Sequence, residues 1–277
     1  MDRRTFLALP GLGAVGVLVA GCSAYPDQAP EPPVRTSQRL VSYGDDPNQV
    51  AELSVPDGTS RGVVVVIHGG FWKAAYDRSL GQPLAASLAA AGWTAWNLEY
   101  RRMGNGGGLP GTLDDVAAGI DALADVAGLD TSTVITLGHS AGGHLAAWAA
   151  SRGRCEQWAE RVPVTAVVSQ AGVLDLRAAY DLRLGGGAVE ALLGHPPGPA
   201  DDPVDPIRQV PLDVPVWCVH GTGDATVPIS QSRSYVAAAK AAGASAELVE
   251  VAGDHFVVID PASEAWARTM SILDTLG

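Results

Sequence analysis

The sequence predicts an α/β domain: a mostly parallel eight-stranded sheet with helices on both faces and a small cap insertion. Three observations predict it. Short β-branched runs alternate with Ala-rich helical stretches from about residue 38 to the end, an order that lays crossover helices over parallel strands. "RGVVVVIHGG", residues 61–70, is apolar without alternation, as a strand covered on both faces requires. The 277 residues are 47% apolar and carry no repeat, so one large core can form without a second domain.

Taken in order, "QRLVSYG" (38–44) and "QVAELSVP" (49–56) alternate partially and read as edge strands, ahead of the buried third strand. "SLGQPLAASLAAAG" (79–92) reads as a helix stopped by Gly92, and "WTAWNLEY" (93–100) as the next strand. "TLDDVAAGIDALADVAG" (112–128) is a helix with Thr112 at its N-cap and acids in its first turn. "TVITLGHS" (133–140) is a strand and "AGGHLAAWAAS" (141–151) the helix after it. "VTAVVSQAG" (164–172), "VPVWCVHG" (214–221) and "AELVEVAG" (246–253) are three more strands; "SYVAAAKAAG" (234–243) and "SEAWARTMSILDTL" (263–276) are the last helices. Residues 175–213 carry no strand and many Gly, Pro and Asp. A loop that long has a role of its own; it is expected to cap the carboxyl ends of the strands, with a short helix near "GAVEALLG" (187–194).

The start reads as a targeting segment. Arg3-Arg4 with Phe6-Leu7 resembles a twin-arginine signal, and the uncharged stretch Thr5 to Gly21 supplies its apolar region. Val19-Ala20-Gly21-Cys22 resembles a bacterial lipobox. The expectation is a signal peptide over 1–21, lipid on Cys22, and a Pro-rich tether over 22–37. The domain at 38–277 would then be anchored to the outer face of the cell membrane. The net charge of −12 argues against a nucleic-acid partner. Cys155 and Cys218 are too few and too far apart to specify a disulfide, and no Cys or His spacing suggests a metal or other cofactor.

"TLGHSAGGHLA", residues 136–146, places Ser140 in G-x-S-x-G between a strand and a helix, the pattern of a nucleophile elbow. A serine hydroxyl needs a base, and the base an orienting acid. His195, His220 and His255 follow Ser140. His195 lies in the cap, and His220 precedes any acid on its loop. His255, in "VAGDHF", lies just past the last strand, where the base belongs. Asp224, in "HGTGDATVP", lies just past the preceding strand, where the acid belongs; Asp254 and Asp260 are the alternatives nearby. Attack on a carbonyl also needs N–H donors for the oxyanion. "HGGFW" (68–72) follows the third strand, and the backbones of Gly70, Phe71 and Ala141 are the expected donors. His68 is expected to be structural, holding that loop rather than transferring protons, and His139 and His144 to pack or bond locally.

Residues 38–277 resemble the α/β-hydrolase superfamily. "HGGFW", "GHSAGGHLA", "HGTGDATVP" and "DHFVVIDP" resemble its kynurenine formamidase and feruloyl/acetyl-esterase-like branch. The resemblance implies that Trp72 lines the substrate pocket, with a place in the core as the other reading. "NLEYRR" resembles a hydrogen-bonded stretch in that branch, which makes Glu99, Arg101 and Asp115 structural. The function expected is hydrolysis of small carboxylic esters by a serine nucleophile. Formamide or amide hydrolysis, or exopeptidase action of the prolyl-oligopeptidase kind, is the alternative. A lipoprotein that only binds a small molecule in the same pocket is the competing class.

Overall fold

The computed structural model describes residues 37–277. The signal segment, Cys22 and the tether before Ser37 lie outside the described residues. Eight strands form one sheet: β1 (Ser37–Ser42), β2 (Val50–Val55), β3 (Val63–Ile67), β4 (Thr94–Leu98), β5 (Val134–His139), β6 (Ala166–Gln170), β7 (Val216–Gly221) and β8 (Ala246–Val251). Their spatial order is β1-β2-β4-β3-β5-β6-β7-β8. Only the pairings of β2 with β1 and β4 are antiparallel; every pairing from β4 to β8 is parallel.

The central strands are buried along their whole length, because α1 (Gln82–Ala90), α2 (Gly111–Asp121), α3 (Ala141–Ala149), α6 (Ser230–Ala241) and α7 (Glu264–Leu273) cover the two faces. The alternate residues of β3 divide accordingly. Val63, Val65 and Ile67 belong to a core with Trp96, Leu145 and Trp148. Val64 and Val66 belong to one with Leu84, Trp93 and Trp266. Among the described residues no helix is long and apolar enough to cross a membrane.

Two local expectations change. The stretch 79–92 opens with a 3₁₀ turn at Arg78–Gly81 before α1 begins. Thr112 is not an N-cap: α2 starts at Gly111 after Pro110. Its hydroxyl instead accepts the Gly108 N–H at 3.0 Å and donates to the Arg101 carbonyl at 2.7 Å, tying the loop before the helix to the strand exit. The same stretch ends as a 3₁₀ turn at Ala122–Asp125 rather than a helix to residue 128. The segment 175–213 carries α4 (Leu176–Asp181), α5 (Ala188–Leu193) and 3₁₀ turns, with no strand. Cys155 and Cys218 are both free.

Strands β3, β5, β7 and β8 run parallel, so their carboxyl ends open onto one edge of the sheet. In open α/β sheets ligands bind at that edge.

Candidate active site

Ser140 follows β5 at φ 57, ψ −118, a conformation only glycine enters freely. The elbow is tight because the backbone doubles back on itself. A Cβ at Gly138 would lie 1.9 Å from the Gly142 carbonyl, and one at Gly142 would lie 2.0 Å from that of Ile67. Both positions of G-x-S-x-G therefore require glycine for space. The Ser140 N–H donates to the Gln170 carbonyl at 2.8 Å, and the Ser140 carbonyl accepts the Gly143 N–H at 2.9 Å. These bonds lock the turn between β6 and the first turn of α3.

His255 stands on the loop after β8. Its Nδ1 lies 2.6 Å from Asp224 Oδ2, on the loop after β7. Its Nε2 has no protein partner among the described residues. A cavity of about 130 Å³ is lined by both Ser140 and His255. The Asp224 side chain is buried and held from several sides. Oδ1 accepts the N–H groups of Thr226 and Val227, both at 2.8 Å. Oδ2 also lies 3.2 Å from Nε2 of His220. Burial pushes this carboxyl up, but the bonds from His220, His255 and Val227 N–H outweigh it and hold it well below the usual carboxylate range. Asp254 and Asp260 are spent on their own turns, accepting the N–H groups of Phe256 and Ala262 at 2.9 Å each.

The loop after β3 closes the other side. Its Gly69 approaches the elbow so closely that a Cβ there would lie 3.0 Å from Ser140 Cβ. Gly70 and Phe71 line the cavity with Ser140, and Ala141 is the first residue of α3. The N–H groups of Gly70, Phe71 and Ala141 donate to no protein carbonyl among the described residues. Donors of this kind beside a nucleophile can take up charge on a reacting oxygen.

A buried network supports that loop. His68 Nδ1 lies 2.8 Å from the Gly69 carbonyl, and its Nε2 lies 3.1 Å from Glu99 and 3.3 Å from Arg102. The Tyr100 hydroxyl donates to the His68 carbonyl at 2.8 Å. Burial, reinforced by the Arg102 cation, pushes His68 down to about 3, so it stays neutral. Glu99 pairs with Arg102, and Asp115 takes Arg101 through two bonds of 2.6 and 2.9 Å.

Three positions differ from expectation. Trp72 is fully buried in the core and meets the His144 ring edge-on at 5.2 Å, so it does not line the cavity. Phe71 and Trp72 both have positive φ, at 51° and 54°, and in this twisted segment Phe71 is the residue left at the cavity. The cap contributes no lining residue either. It touches the site through Gly185, whose carbonyl accepts from Lys73 Nζ at 2.8 Å and whose Cα faces the Phe71 ring. His139 bonds over a long range rather than locally: its Nε2–H donates to the His255 carbonyl at 2.9 Å. Sequence reasoning missed the contact of His220 with Asp224. The only signal was the spacing of four residues in "HGTGD". It also missed Tyr76, Leu80, Thr226, Phe256 and Ile259, which line the cavity.

The strand order and the elbow at the end of β5 define an α/β-hydrolase. The chain belongs to the BD-FAE family, which it matches over residues 53–238. It is 28% identical over 220 residues to esterase LipC of Mycobacterium tuberculosis, covering 72% of this chain. The chain spans about half the length of the curated relatives it matches, 54% in the case of LipC. Among solved structures, esterase B of Lactobacillus rhamnosis superposes with a TM-score of 0.76 at 22% identity, covering 88% of this chain and 86% of that one. The propionate-bound esterase Est2 of Thermogutta terrifontis gives 0.69 at 25% identity, covering 86% and 92%.

Proposed function

We propose that this protein is a serine hydrolase cleaving small carboxylic esters through an acyl-enzyme. The observation that carries the reading is the 2.6 Å bond from His255 Nδ1 to Asp224, which leaves Nε2 without a protein partner among the described residues in a side chain that lines the cavity with Ser140. In this reading His255 Nε2 takes the Ser140 proton as Oγ attacks the ester carbonyl. Asp224 holds the ring in the Nδ1–H tautomer and stabilises the imidazolium. The N–H groups of Gly70, Phe71 and Ala141 receive the oxyanion. His255 then protonates the leaving alcohol, and water returning along the same path releases the acid.

In this reading the acyl portion is short. The name of LipC as an esterase supports ester cleavage, and the propionate in the Est2 structure supports a short acid. Labelling of Ser140 by a fluorophosphonate probe, lost in Ser140→Ala, tests the nucleophile. Hydrolysis of esters graded in acyl length, with N-formyl amides alongside, tests the substrate class. Acetyl to butyryl esters are expected to exceed octanoyl esters in kcat/KM by about tenfold or more, roughly 1.4 kcal/mol. Faster turnover of the formyl amides would move the function to the formamidase alternative. Absence of both labelling and turnover would leave a ligand-binding lipoprotein. For location, we infer a lipid anchor on Cys22. Cys22→Ser should release the protein from the membrane fraction, and unchanged partitioning would remove the anchor.

A further inference from the structure

Among the described residues, five large apolar side chains stand exposed: Leu40, Tyr76, Leu80, Leu182 and Phe256. Three of them, Tyr76, Leu80 and Phe256, line the single cavity that holds Ser140 and His255. They arrive from separate pieces of chain. Tyr76 and Leu80 come from the segment between β3 and α1, and Phe256 from the loop after β8. One amphipathic element cannot account for their convergence, and exposed apolar groups gathered at one place mark a binding surface. Phe256 is the most open of the three, at 59% exposure. Its position is set by backbone bonds: Asp254 accepts the N–H groups of Phe256 and Val257 at 2.9 and 3.2 Å. The ring meets the His255 imidazole edge-on, with centroids 5.3 Å apart.

We infer that Phe256, with Leu80, forms the leaving-group subsite, and that the substrates are esters of apolar alcohols. The inference rests on the ester-hydrolase reading and adds a direction to it. In acyl transfer the base that deprotonated the nucleophile returns its proton to the leaving oxygen. The alcohol must therefore lie on the His255 side of the reacting carbon, away from the Gly70 and Phe71 N–H groups. The side chain next to His255 on that side is Phe256, and it opens outward to solvent. An aromatic or branched alkyl alcohol covers the pad and removes its apolar surface from water. A sugar or glycerol alcohol gains little from it.

The test holds the acyl group constant and varies the alcohol. Methyl, butyl, benzyl and glyceryl acetates are compared in wild type, Phe256→Ala, Phe256→Leu and Leu80→Ala, with Leu40→Ala as an exposed control on β1. The wild type should prefer benzyl over methyl acetate. Phe256→Ala should reduce that preference by about tenfold, mainly through KM, as loss of one apolar contact surface does. Leu80→Ala should reduce it less, Phe256→Leu should keep most of it, and Leu40→Ala should leave it alone. The ratio of acetyl to octanoyl esters of one alcohol should not move in Phe256→Ala. An unchanged benzyl-to-methyl ratio in Phe256→Ala overturns the subsite. So does a wild type that prefers glyceryl acetate, or a shift in the acyl ratio instead, which would put the acyl chain on the pad. Fluorophosphonate labelling of Ser140 separates the two readings. Labelling and ester turnover with no alcohol preference sink the subsite alone; loss of both in the wild type sinks the hydrolase reading beneath it.

Discussion

His68 and His255 each sit just past a strand at the carboxyl edge of the sheet, and each reaches a carboxylate, Glu99 at 3.1 Å and Asp224 at 2.6 Å. The two pairs differ in what surrounds them. His68 donates its Nδ1–H to the Gly69 carbonyl, so its neutral Nε2 is an acceptor for the Arg102 N–H at 3.3 Å. Both ring nitrogens are occupied, and Arg102 and Arg78 already compensate Glu99. His255 bonds through Nδ1 alone among the described residues, and it lines the cavity with Ser140. Asp224 receives neutral donors and no arginine among the described residues. Its negative charge is thus available to a cation that forms only when His255 takes a proton. A permanent cation beside the carboxylate makes one pair a brace; the other carboxylate has no such cation beside it among the described residues.

The largest effects should fall on the pair at the cavity. Ser140→Ala and His255→Ala should each lower turnover by on the order of 10³-fold or more, and the double variant should lose little beyond either single one. Independent, multiplying losses would mean that the two residues do not act together. Asp224→Asn should lose about 10²-fold or more, while Asp254→Asn and Asp260→Asn stay near wild type; full activity in Asp224→Asn would relocate the acid.

His220 supports Asp224 from behind. Its Nε2–H is shared between Asp224 and the Val227 carbonyl at 2.9 Å, and its Nδ1 accepts the Ser232 hydroxyl at 2.8 Å. His220→Gln should lower kcat by about tenfold with little change in KM, as loss of one hydrogen bond to a charged group predicts. An equal effect in a variant already carrying Asp224→Asn would break the proposed link between the two residues.

The smallest effect belongs to the brace and its buried neighbours. Burial pushes His68 and His139 down to about 3 and His144 to about 4, against an ordinary value of 6.5. These rings stay neutral in the folded protein and take up protons on unfolding. Their contribution is therefore complete above about pH 6.5 and is lost as pH falls toward 3 to 4. Thermal stability should decline across that window, and His68→Asn should reduce the slope by about one proton. A slope unchanged by that substitution would show that His68 is protonated in the folded state.

Much of this was legible in residues and spacing. Ser140, Asp224 and His255 stand out because strand exits are local signals and the chain order is fixed by the topology of the sheet. The glycines beside Ser140 were legible because the close approach they permit tolerates no Cβ. The partition of Phe71 and Trp72 was not legible. Both are large aromatics at adjacent positive-φ positions, and which one enters the core depends on His144 and α3, far along the chain. The cap was found as an insertion, but its distance from the cavity depends on packing through Gly185. Thr112 has the residue type of an N-cap, but Pro110 precedes α2 and the helix has already begun at Gly111.

Among the described residues five non-glycine residues have positive φ, and two of them, Phe71 and Ser140, line the cavity. Holding such residues costs on the order of 1–3 kcal/mol each, a tension that the surrounding core must overcome. Selection for heat tolerance alone, blind to turnover, would therefore erode the cleft first. Ser140→Gly is the substitution it would find, since glycine enters that conformation without penalty. A dead enzyme that melts later than the living one would show that durability and chemistry pull this chain in opposite directions.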